Sequence, residues 1–187
     1  MLALALGGAS TAQAFDGDRS GFLLGFGIGA ADTSYELSGP DAATFDPGDG
    51  DGVSVDLTIG GGVGEQLAFH LASHGAAHGS VEDDTSSVSL FGFGATYWLR
   101  PSGPSVYLSS TIGEAEVNRD VGSADGAAST LVPATGFGVR VAAGYEFSNR
   151  LRLEGSVTSL TVDGGFLPEE VEMDAVNSQL SLGYLWY

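Results

Sequence analysis

The chain has no cysteine and no lysine. Without cysteine it has neither a disulfide nor a thiolate metal site. Six basic residues, all arginine, stand against 24 acids, and the net charge is −18. A surface of that sign repels nucleic acid and bare anionic lipid, and attracts divalent cations or a cationic partner. No stretch approaches the roughly 20 apolar residues of a membrane helix. If the chain enters a membrane, it does so as strands. The usual basic start of a secretory leader is missing too, because Met1 runs straight into Leu2.

What is present points to secretion and to β-structure. Leu2 to Leu6 is a short apolar core, followed by small residues and Ala12-Gln13-Ala14, a cleavage pattern. This predicts a signal peptide over 1–14, with its true start upstream of Met1, and a mature domain over 15–187. At 187 residues the chain is long enough for one domain. Its 30 glycines are too many for a helical protein.

A two-residue apolar rhythm predicts eight strands, at 21–31, 53–63, 67–73, 87–99, 105–117, 134–147, 151–162 and 176–187. In the first, Phe22, Leu24, Phe26 and Ile28 oppose Leu23, Gly25, Gly27 and Gly29. In the sixth, Phe137, Val139, Val141 and Tyr145 oppose Gly138, Arg140, Ala142, Gly144 and Glu146. Val88 and Leu90 break the parity of Phe91 and Phe93, which predicts a bulge near Leu90. The chain ends on Leu180, Leu182, Tyr184 and Trp186 on one face, with Tyr187 on the other.

A soluble sandwich also alternates, but its loops have no reason to be sorted by length. Here short turns at 63–66, 100–104 and 148–150 alternate with four longer polar connections. Most of the 24 acids fall in the long connections, while Arg19, Arg100 and Arg150 fall at the short-turn end. Short periplasmic turns and long extracellular loops are the pattern of outer-membrane barrels.

In these features the chain resembles the small outer-membrane β-barrel proteins of Gram-negative bacteria, the eight-stranded class with OmpA-like and OmpX-like membrane domains. The segments Leu151 to Ser156 and Gly183 to Tyr187 look like the last hairpin of such barrels. The resemblance implies an eight-stranded antiparallel up-and-down transmembrane β-barrel in the outer membrane, monomeric, among lipid and lipopolysaccharide.

Three groups of residues are candidates for chemistry. Asp56, Arg140, Glu146, Arg152 and Glu154 share the inward parity, and burial forces such charges to pair. The expected pairing is Arg140 with Glu154 or Glu146. The structural reading is a lumen filled with paired charge, since eight strands leave room for little more than side chains. The functional reading is a proton or ion path, favoured by the many inward glycines, which would leave room for water. His70, Ser73, His74 and His78, with Glu82 or Asp83, form the one catalytic-looking cluster. However, Ser73 and His74 point to opposite faces, and there is no G-x-S-x-G elbow. Asp46, Asp49 and Asp51 sit in a segment like a calcium loop, but Pro47 and Thr58 occupy its first and twelfth positions, where acids belong. They remain candidates for weak cation binding.

The expectation is a non-enzymatic outer-membrane barrel, without a cofactor, whose role is structural or surface interaction through acidic extracellular loops and, through them, divalent cations. The alternatives are a lipid-modifying enzyme, a narrow passive channel and a soluble secreted β-barrel.

Overall fold

A computed structural model describes residues 19–40, 50–79, 85–119, 133–165, 167 and 170–187. The predicted leader, with most of the long connections, lies outside them. Eight strands follow in order: β1 (Gly21–Ser38), β2 (Gly50–Gly62), β3 (Leu67–Gly79), β4 (Thr85–Trp98), β5 (Ser105–Arg119), β6 (Ala134–Glu146), β7 (Leu151–Asp163) and β8 (Glu172–Trp186). Each pairs antiparallel with the next, and β8 pairs with β1, so the sheet closes into a barrel. Closure leaves no strand edge, the condition under which a sheet tolerates lipid.

The parity sorts the side chains. Phe22, Phe26, Phe69, Phe93, Phe137 and Val139 point outward, with Phe93 72% exposed. Asp56, His70, Arg140 and Glu154 are buried inside. The outward set forms a belt that also holds Val55, Leu57, Leu108, Val141, Leu153, Leu180 and Leu182, all exposed. An apolar exterior of this extent, wrapped around a polar interior, inverts the pattern of a soluble barrel.

The strands run longer than the sequence predicts at the long-connection end. β1 continues to Ser38 and β3 to Gly79. The acids Asp32, Glu36, Asp51, Asp163, Glu172 and Asp174, expected in loops, are strand residues on the outer face. There the parity inverts: the outward residues are polar and the apolar ones, such as Tyr35, Leu37 and Met173, point inward, so a search for an apolar outer face stops too early. The bulge predicted near Leu90 is absent. Register runs unbroken from Gly79↔Thr85 to Leu67↔Tyr97. Val88 and Leu90 keep the inward parity because the interior at that height is apolar.

The three short turns are where the sequence places them. In the third, the Phe147 N–H donates to the Leu151 carbonyl at 2.8 Å, and Arg150 takes a left-handed φ of 67°. A side chain is strained there unless it gains something in return. Arg150 places its guanidinium 5.7 Å from the Tyr187 ring centre.

The interior is layered. At the short-turn end Leu23, Ala68, Trp98, Tyr107 and Leu185 pack together, with Tyr187 against them. At the opposite end Val88, Leu90, Val117, Leu160, Val162, Leu167 and Met173 form a second apolar cluster, joined by Tyr35 and Leu37. Polar and charged side chains lie between the two.

Candidate functional site

The middle layer is built from inward positions of all eight strands. β6 supplies Arg140 and β7 supplies Glu154, with Arg140 Nη2 donating to Glu154 Oε1 at 2.5 Å. The Tyr107 hydroxyl of β5 donates to the other oxygen of Glu154 at 2.7 Å. Arg140 also lies 3.8 Å from Asp56 Oδ1. That same oxygen is 2.7 Å from His74 Nδ1, and His74 Nε2 is 3.3 Å from Thr111 Oγ1. His70 Nε2 meets Thr96 Oγ1 at 3.1 Å, and Thr96 meets Ser109 at 3.0 Å. Further along β3, His78 meets Thr33 Oγ1 at 2.8 Å, and Asn177 donates to the same hydroxyl.

The glycines expected to leave room for water make room for side chains. A Cβ at Gly94 would collide with the His70 ring and one at Gly144 with the Tyr107 ring. The cavity left in this layer is about 20 Å³, bounded by Asp56, His70, His74, Arg140, Arg152 and Glu154. That is room for about one water molecule. Asp56 Oδ2, His70 Nδ1 and the Nε atoms of Arg140 and Arg152 have no hydrogen-bond partner among the described residues, so they are the groups such a water would serve.

The base of the barrel holds a second polar centre. Glu146, at the end of β6, is fully buried. Its Oε2 accepts from Trp98 Nε1 at 2.8 Å and from the Tyr187 hydroxyl at 2.7 Å. Its Oε1 accepts from Arg19, through Nη2 at 3.2 Å and Nε at 3.3 Å.

Of the five charges grouped from sequence, the structure brings Asp56, Arg140 and Glu154 together and sets Glu146 apart. The reason is strand rise: six residues separate Arg140 from Glu146, about 20 Å at 3.3 Å per residue. Arg152 lines the middle-layer cavity on the side toward Glu146. It is paired in register with Glu146, and its guanidinium lies 5.6 Å from the Tyr107 ring centre.

The histidine–serine cluster is not assembled. His70, His74 and His78 point inward, whereas Ser73 is exposed on the outer wall; Glu82 and Asp83 lie outside the described residues. Asp56, His74 and Thr111 are connected in the order of a hydrolytic triad, but the adjoining cavity has no room for an acyl substrate. Asp46 and Asp49 lie outside the described residues. Asp51 belongs to β2 and faces Asp32 across the β1–β2 pair. Among the described residues no group of three or more His, Asp or Glu is placed to hold a metal ion.

Sequence reasoning missed Arg19, Trp98, Tyr107, Thr111 and Tyr187. The signal was available for three of them. Trp98, Tyr107 and Tyr187 are bulky aromatics on the parity otherwise given to small residues, close to strand ends, where an interior plug needs volume. Arg19 precedes the first strand, and nothing in its local sequence marks it.

No family model matches the chain, and no curated protein matches it in sequence. Solved structures do. The attachment invasion locus protein Ail of Yersinia pestis, in complex with the heparin analogue sucrose octasulfate, superposes with a TM-score of 0.56 at 12% identity, over 88% of this chain and 99% of that one. Neisserial surface protein A superposes with a TM-score of 0.54 at 14% identity, over 87% and 97%. At such identities the likeness is one of fold: the chain has the closed eight-stranded fold of small bacterial outer-membrane barrels.

Proposed function

We propose that this chain is a non-enzymatic surface protein of the bacterial outer membrane, with a closed lumen and an acidic rim as its contact surface. The observation that carries the reading is the division of labour between interior and rim. The interior charges pair among themselves between two apolar plugs. The rim acids Asp32, Glu36, Asp51, Asp163, Glu172 and Asp174 are exposed, outward and directly opposite one another in the ladder. Like charges directly opposite across strands are destabilising. Divalent cations or a cationic partner relieve that repulsion. Calcium or magnesium would also bridge the rim to lipopolysaccharide phosphates.

A polyanion of the kind named with Ail is the wrong sign for this rim. The test is binding of the folded protein, in detergent micelles, to a cationic peptide and to a sulfated polysaccharide. The cationic peptide should bind with an affinity that falls as salt rises, and the polysaccharide should bind only when divalent cations are added. In planar bilayers the protein should give no single-channel steps. Steady conductance, or polysaccharide binding in chelator, would overturn the reading.

A further inference from the structure

The base of the barrel contains a binding site that the middle-layer chemistry does not use. The Arg19 side chain is fully buried although it precedes β1. Its Nη1 donates to the carbonyls of Glu65 at 3.3 Å, Arg100 at 3.0 Å and Pro101 at 3.1 Å. Its Nη2 donates to the Gly103 carbonyl at 2.7 Å, and with Nε it reaches Glu146. The Trp98 ring centre lies 5.0 Å from Arg19 Cζ. One carboxylate, four carbonyl oxygens from two different turns and one indole face converge on a single planar cation. That combination suits a guanidinium and not an ammonium, because the donors of a guanidinium form a flat fork and its face stacks on aromatics.

We infer that the short-turn mouth of the barrel is a guanidinium receptor, filled in cis by Arg19, and that Arg19 acts as a strap closing this mouth. Glu146 receives Arg19 from before β1, Trp98 from the end of β4 and Tyr187 from beyond the end of β8. β1 and β8 are the two strands that close the barrel. The receptor is therefore complete only when that seam is shut. A closed barrel without Arg19 in place would bury the Glu146 carboxylate without the guanidinium that contacts it, a costly state. The strap couples closure of the seam to sealing of the mouth.

The test uses the folded full chain in detergent micelles. Trp186→Phe leaves Trp98 as the single tryptophan, since the chain has two. Acrylamide quenching of Trp98 then reports water access to the base. In that background Arg19→Ala should raise quenching severalfold. Millimolar guanidinium chloride should return it to the parent value, and sodium or ammonium chloride at equal ionic strength should not. Adding Glu146→Gln should abolish the rescue. Quenching unchanged by Arg19→Ala, or reversed equally by sodium chloride, would overturn the inference. If Arg19→Ala does not fold, the readout becomes its refolded yield, measured as the heat-modifiable band on a gel. Recovery in millimolar guanidinium but not in sodium supports the receptor, and no recovery in guanidinium overturns it.

Discussion

Replacing Arg140 by leucine is the sharpest perturbation of the middle layer. Arg140 is 1% exposed and faces two carboxylates, Glu154 at 2.5 Å and Asp56 at 3.8 Å. Removing one partner of a buried ion pair costs about 3–5 kcal/mol, because the remaining charge is left without compensation. Two features place this site near the lower bound. Glu154 keeps the Tyr107 hydroxyl, and Asp56 keeps its bond to His74. The layer holds two arginines, Arg140 and Arg152, and two carboxylates, so the variant has one anion in excess. The expected loss is about 3 kcal/mol. Urea unfolding in micelles, followed by tryptophan emission and by the heat-modifiable gel shift, would measure it.

The compensating variant decides the cause. Arg140→Leu with Glu154→Gln removes the excess anion and leaves an amide that still bonds Tyr107. If charge imbalance is the cost, the double variant should recover a large part of the loss, with a coupling of 0.5–3 kcal/mol as expected for residues in contact. Additive losses would refute the argument and reassign the effect to lost packing of the arginine stem.

Two further outcomes follow from the same geometry. Gly144→Ala places a methyl group against the Tyr107 ring; it should destabilise the barrel by about 1–3 kcal/mol, the usual cost of overpacking, while Gly155→Ala, which meets open space on the outer wall, should be near neutral in the same denaturation assay. Calcium at millimolar concentration should raise the unfolding midpoint more than sodium at equal ionic strength, and Glu172→Gln with Asp174→Asn should shrink that difference; an equal response to the two ions would leave the rim acids as a repulsive coat.

Much of the fold was legible in the residues. Phe22, Phe26, Phe93 and Phe137 mark one apolar face opposite glycine, and the sorting of the connections by length assigns that face to lipid. Turn chemistry at Pro101, Gly103 and Pro104 announces the short end. The strand extensions were not legible, because beyond the belt the outer face of Asp32 to Ser38 and of His74 to Gly79 is no longer apolar, and Tyr35 and Leu37 lie on the inward parity instead. The site was half legible. Parity placed Asp56, Arg140 and Glu154 inside, but parity has no height, so it could not tell that Glu146 belongs to a different layer. Barrel closure decided that. It set Glu146 beside Trp98 and Tyr187, residues 48 and 41 positions away in the chain.

The layering also bears on what the interior can do. An ion path needs water and charge left over to attract an ion. The middle layer has room for about one water molecule, and its two arginines balance Asp56 and Glu154. The apolar clusters on either side exclude water, which strengthens each pair between them and raises the cost of breaking one. At the base, Arg19 balances Glu146 in the same way. The same pairing that makes the interior stable leaves it without spare charge, and the unmatched charge of the described chain is on the rim. A change in function between barrels built this way should therefore come from substitutions at rim positions such as Glu36, Glu172 and Asp174. Substitutions in the lumen should show first as changes in stability.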